Sequence, residues 1–220
     1  MSDVAEPDAA IEPAFILRLL QRLATPSAVA PASGDVEASE AALEATEADR
    51  IEAGLSVWDL AADELTGRFM TGHALVDLLL HPLSDGSAHS SRLLEVCAGT
   101  LANLASVVPS ACAALGLRDG TPAALCGLLL GSSDADLLVQ VARLLACIVA
   151  SLHADAVSAS SPSPSPSSPP SPAHGADDAP AAPAPALHGW LGALGSAPVL
   201  SRWVFLVQNT RRADLLAAVC

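Results

Sequence analysis

The apolar positions of the chain recur mostly at helical spacing. The clearest stretch is Arg92 to Val108, RLLEVCAGTLANLASVV, where Leu94, Cys97, Leu101, Leu104 and Val108 fall on one stripe. Leu93, Ala98 and Ala105 widen it, so the helix is expected to be buried on more than one side. Its polar face is narrow: Glu95, Gly99 and Asn103 follow one another at four-residue steps. A helix wedged between neighbours, with one thin strip left open, suits a stacked helical repeat.

The same reading along the chain predicts a short amphipathic helix over 11–23, with Ile16, Leu19, Leu20 and Leu23 on one side, expected to pack on the body. A helix from Val36 to about Ser56 follows, then another from Val57 to about Met70. Trp58, with Leu55, Leu60 and Leu65, is expected to anchor this region. Gly72–Leu80 reads as a helix stopped by His81-Pro82. Ser90 or Ser91 caps the long helix, and Pro109 opens a short one. Thr121 is expected to cap a helix with Pro122 at its first position, ending at Gly131. Ser133 is expected to cap another that runs to about Leu152. Helices resume at about Leu187, at Pro198–Gln208 and from Arg211. No β-type alternation is sustained, so the fold class is all-α.

Sliding the sequence by 44 residues aligns Ala98 with Ala142, Leu101 with Leu145, Leu104 with Ile148 and Ala105 with Val149. A slide of 78 aligns Asp136-Leu137-Leu138 with Asp214-Leu215-Leu216, and Val141 with Val219. The excess, 78 − 44 = 34, nearly equals the Pro/Ala/Ser stretch from Ala154 to Ala186. With that insertion removed, one period near 44 runs on, within the armadillo/HEAT range of about 40–47 residues. The expected organisation is a disordered acidic N-terminus over 1–34, armadillo-like repeats over 35–153, a disordered insertion over 154–186, and a further repeat over 187–220. The last is expected to be truncated, because Cys220 falls mid-helix in the pattern. The insertion carries Ser-Pro steps at Ser161, Ser163, Ser165, Ser168 and Ser171, candidates for proline-directed phosphorylation, although a plain insertion between repeats is the first reading.

Composition narrows the function classes. Ten basic residues, all Arg, stand against 24 acidic ones, a net charge of −14. Such a field disfavours nucleic acid and anionic lipid. Asp35–Glu64 alone holds ten acids and one Arg, a solvated helical face. Mean hydropathy is +0.45. The most apolar uncharged run, Cys97–Leu117, contains Asn103 and Pro109, and Leu137–Leu152 carries Gln140 and Arg143, so no membrane span is expected. The five Cys follow no CxxC spacing; four lie in apolar helical stretches, as small hydrophobes of a reduced compartment do.

VWDLAADEL (Val57–Leu65), RLLEVCAGTLANLA (Arg92–Ala105) and VARLLACIV (Val141–Val149), followed by APVLSRWVFLVQNTRRADLLAAV (Ala197–Val219), resemble the serum amyloid A-like protein 1 family. The resemblance covers roughly Ile51 to Val219, the N-terminal half of a family member, and the Pro/Ser insertion departs from it. It implies an armadillo-type fold, no enzymatic activity, a nuclear or cytoplasmic location and a link to control of cell proliferation.

No catalytic or metal motif is found. His73, His81, His89, His153, His174 and His188 form no HxxxH, HExxH or zinc-type cluster, and GxSxG, GxxxxGK[ST] and GxGxxG are absent. The reading is therefore a protein–protein interaction scaffold without cofactor or metal, whose strip of Glu95, Gly99, Asn103 and Arg143 faces a protein partner along a concave side. Two alternatives stand beside it. Asn103 is similar to the Asn of the repeated Trp-x-x-x-Asn in peptide-binding importin-alpha adaptors, although Gly99 stands at the Trp position and the next repeat offers Arg143 and Cys147. The amphipathic 11–23 segment suits a membrane-surface module.

Overall fold

The structure is a computed structural model that describes residues 12–25, 36–86, 89–160, 184–209 and 217. Among these residues there are ten helices and no strand, so the fold is all-α. They are α1 (Pro13–Ala24), α2 (Val36–Leu60), α3 (Glu64–Thr71), α4 (Leu75–Asp85), α5 (Ser91–Val107), α6 (Pro109–Leu117), α7 (Thr121–Gly131), α8 (Ala135–Ser160), α9 (Ala184–Leu194) and α10 (Ala197–Asn209).

The core is built around α5. It lies between α2 and α8 and also touches α3, α4 and α6. From Leu93 to Ala102 every residue is buried, which is what a helix covered on several sides requires. Leu101 on α5 and Leu145 on α8 share one apolar cluster that reaches from α1 to Trp190 of α9. A second cluster joins α7, α8 and α10 through Leu129, Leu138, Val139, Val199 and Leu206.

α1 packs onto α2 and α4 and buries Ile16, Leu19, Leu20 and Leu23. Each such side chain contributes about 1.5–3 kcal/mol of burial. The apolar stripe that a membrane-surface module would need is thus used internally.

Local chemistry sets most helix starts. Ser90 Oγ accepts from Leu93 N–H at 3.3 Å and opens α5. Pro109 occupies the first position of α6, directly after the extended Val108, and so divides the apolar run Cys97–Leu117 into two helices. Gly120, at φ +84°, makes the turn into α7.

Several boundaries differ from the sequence expectation. The division between α2 and α3 falls at 61–63, not after Ser56, because Asp63 Oδ1 accepts from Thr66 N–H at 2.8 Å and starts α3 there. Leu65 is 77% exposed and anchors nothing, whereas Ala53 and Val57 of α2, and Ala61 just after it, are fully buried beside Trp58. α4 continues through His81-Pro82 to Asp85. Its proline removes one helical hydrogen bond, at a cost of roughly 3 kcal/mol, but Leu79, Pro82 and Leu83 all bury in the core and offset it. The cap of α7 is Gly120, with Thr121 inside the helix and its hydroxyl buried without a partner. The residue that starts α8 is Asp134, not Ser133: its Oδ1 accepts from Asp136 and Leu137 N–H at 2.9 and 3.1 Å.

α8 extends past Leu152 to Ser160, and α9 begins at Ala184, so both flanks of the expected 154–186 insertion are helical. Ser161, Ser163, Ser165, Ser168 and Ser171 lie outside the described residues, as does most of 1–34. Of the expected third repeat copy, 214–219, only Ala217 is described. The stretch Ala135–Ser158 of α8 is long and apolar enough to cross a membrane; half of its most apolar window is buried within the protein.

Candidate functional site

The residues read as an open strip lie along the seam where α2 crosses α5. Glycines make that seam close. A Cβ added at Gly54 of α2 would come within 2.6 Å of Val96 on α5. A Cβ added at Gly99 of α5 would come within 2.3–2.6 Å of three ring carbons of Trp58 on α2. Each helix therefore sets a large side chain into the other's glycine notch.

This arrangement corrects the expected openness of the strip. Gly99 is roofed by the Trp58 indole. Glu95 is 8% exposed and receives the Arg92 guanidinium at 2.6 Å. Neither residue presents itself to a partner. Asn103 and Arg143 are half-buried at the outer edge of the seam.

Asn103 connects three helices. Its Nδ2 donates to the carbonyl of Trp58, in the last turn of α2, at 3.2 Å. Its Oδ1 accepts from Arg143 Nη2 on α8 at 3.1 Å. Arg143 Nη1 in turn donates to Gln140 Oε1 at 2.7 Å. The amide that an importin-alpha-like clamp would spend on a peptide backbone is engaged here in holding the stack; one N–H and one lone pair stay over. What the row offers outward is the indole edge of Trp58, the amides of Asn103 and Gln140, and the remaining donors of Arg143.

A second polar group ties α2 to the start of α5. Glu47 accepts from Ser90 N–H at 3.0 Å. Burial pushes its carboxyl up, but the Ser90 hydrogen bonds, helped by His89 and Arg50, hold it below the usual range. His89 is held below its ordinary value, first by burial and then by Arg50. Arg50 is buried and donates through Nε to the Leu23 carbonyl at the end of α1, 3.2 Å away. The acidic run reads in sequence as a solvated face or a docking site for a basic partner, and neither reading names these contacts because both partners lie far along the chain.

A cleft of about 450 Å³ opens between the end of α4 and α7. Leu83, Leu94, Leu128 and Leu137 form its floor, with Asp85, His89 and Ser91 at its lip. Among the described residues no group of three or more His, Cys, Asp or Glu is gathered as a metal site would need. Cys97, Cys112, Cys126 and Cys147 are all free thiols. Burial pushes Cys97 up to about 12, so it is protonated and acts as core.

No protein-family model matches the chain, and neither a curated protein nor a solved structure matches it significantly.

Proposed function

We propose that the chain is a non-catalytic, armadillo-like interaction scaffold in which α2, α5 and α8 are successive rungs of a helical solenoid. The observation that carries this reading is the polar row through Asn103. Its partners lie 45 residues before it and 40 after it, on the helices at either side of α5. A spacing of that size, repeated on both sides of one helix, is that of adjacent rungs in an armadillo or HEAT stack. The similarity of Ala98–Ala105 to Ala142–Val149 in sequence supports it.

In this reading a protein partner meets the outer edge of the row, Arg143 and Gln140 above all, with Asn103 and Trp58 beside them. Glu95 and Gly99 act behind it by fixing where α2 sits. The resemblance to the serum amyloid A-like protein 1 family supports a nuclear or cytoplasmic adaptor linked to cell proliferation.

The test compares wild type with Gln140→Ala/Arg143→Glu in affinity capture from native cells, with far-UV CD and melting temperature as controls on folding. Loss of captured proteins with unchanged CD supports the reading. An identical set of captured proteins overturns it.

A further inference from the structure

We infer that Cys112 and Cys147 form an oxidisable pair that can be closed into a disulfide stapling α6 to α8. The inference rests on the α6–α8 contact and not on the proposed function. Cys112 Sγ donates to the backbone carbonyl of Cys147 itself, 3.4 Å away, which places the sulfur of one residue against the main chain of the other. One turn further along, the same two helices are drawn close by Gly116. A Cβ there would meet the Leu152 side chain at 3.1 Å and Ile148 at 3.6 Å. A disulfide needs Cα atoms about 4.4–6.8 Å apart, so closing it requires the Cys112 sulfur to leave the Cys147 carbonyl and the Ser151 side chain that also bonds it. Both thiols are free, and the two differ in access: Cys112 is buried and Cys147 half-buried.

That difference orders the chemistry. With a peroxide as oxidant, the Cys147 sulfur attacks the peroxide oxygen. The O–O bond breaks, the leaving hydroxide takes up the thiol proton as the first water, and Cys147 becomes the sulfenic acid. The Cys112 sulfur then attacks the Cys147 sulfur, and its proton departs with the sulfenic hydroxyl as water. Two thiols and one hydrogen peroxide give one disulfide and two waters. Burial raises both thiols. The pair therefore reacts slowly at neutral pH and closes faster as pH rises.

The full chain is treated with hydrogen peroxide, quenched with N-ethylmaleimide, and read by intact mass and chymotryptic mapping. The expected product has lost about 2 Da with no gain in chain number, and its linked peptides contain Cys112 and Cys147. Cys112→Ser and Cys147→Ser each abolish it, whereas Cys126→Ser retains it. The oxidised protein melts higher by several degrees, and dithiothreitol reverses the change. Sulfinic acid at Cys147 with Cys112 still alkylated by maleimide would overturn the inference, as would a linkage through other cysteines or between chains. The wild-type map decides the matter even where a variant fails to fold.

Discussion

Gly99→Ala is a change that helix physics alone would favour, and the structure reverses its sign. In a helix interior alanine is better than glycine by about 1 kcal/mol. At Gly99, however, the new methyl falls 2.3, 2.5 and 2.6 Å from Cζ2, Cε2 and Cη2 of Trp58. The indole must move by more than an ångström or swing out of the seam. Overpacking of this kind costs about 1–3 kcal/mol. Swinging out re-exposes on the order of 100 Å² of indole, about 2.5 kcal/mol. The net expectation is a loss of about 1 kcal/mol after the helix gain is subtracted. Gly127 of α7 supplies the control, because nothing lies within 4 Å of a Cβ placed there. Gly127→Ala should gain close to the full 1 kcal/mol. The two variants should thus differ by about 2 kcal/mol, or roughly 4–8 °C in melting temperature for a chain of this size. Thermal melts followed by CD measure it. In a Trp58→Ala background the obstacle is gone, and Gly99→Ala should become stabilising. If Gly99→Ala stabilises the wild-type chain as Gly127→Ala does, Trp58 is not seated on α5 and the α2–α5 seam is wrong.

Other parts of the core give equally direct tests. Trp190 is 1% exposed and its Nε1–H donates to the Gly116 carbonyl at 2.8 Å, so Trp190→Phe should cost about 1–3 kcal/mol by orphaning that carbonyl, and Trp190→Ala about 3–5, both read from urea melts. Thr121 carries a buried hydroxyl with no partner; Thr121→Val keeps the shape and should be neutral or up to about 1 kcal/mol stabilising, and a clear loss would mean the hydroxyl is satisfied. His89 and Glu47 both sit below their ordinary values, so the unfolded chain takes up their protons first on acidification and stability falls as pH drops through 6.5 for His89 and 4.5 for Glu47. Stability measured from pH 8 to 4 should decline, and His89→Asn should flatten the upper part of that decline while Glu47→Gln flattens the lower.

Much of the fold was legible because helical periodicity is a local signal. α1, α5, α6 and α7 lie where the apolar stripes and the Pro109 and Pro122 signals put them, and every residue named in the stripe of the long helix is buried, although Glu95, Val96, Gly99, Thr100 and Ala102 are buried beside it. The misplaced features share a cause: a distant partner decides them. Pro82 stays within α4 because the residues around it are buried by other elements. Glu95 and Gly99 look like a surface strip by residue type, since neither is a large hydrophobe, yet Trp58 from earlier in the chain roofs Gly99 and Glu95 is buried beside Arg92. The clue was present in Trp58. A large ring expected to anchor α2 needs a recess, and a glycine inside the longest apolar helix provides one. Nothing local announces that Arg202 of α10 donates to the Leu129 and Ser132 carbonyls and so caps the end of α7 from 70 residues away or more, nor that Ser90 is held by Glu47.

The seam also explains why polar residues stand inside a stack built mostly of Leu, Ala and Val. Such side chains are close to interchangeable, so sliding α2 along α5 by a turn would forfeit little apolar contact. Two contacts forbid the slide. The indole of Trp58 fits only over Gly99, and the Asn103 amide reaches the Trp58 carbonyl only in that same register. The amide's other end then sets α8 through Arg143. Register is thus chosen by a few residues at the inner edge of the row, while the outer edge keeps an Arg with unused donors beside two amides. Were the outer edge the docking surface proposed above, register fixed in this way would leave little to order on docking, and little entropy would be lost there.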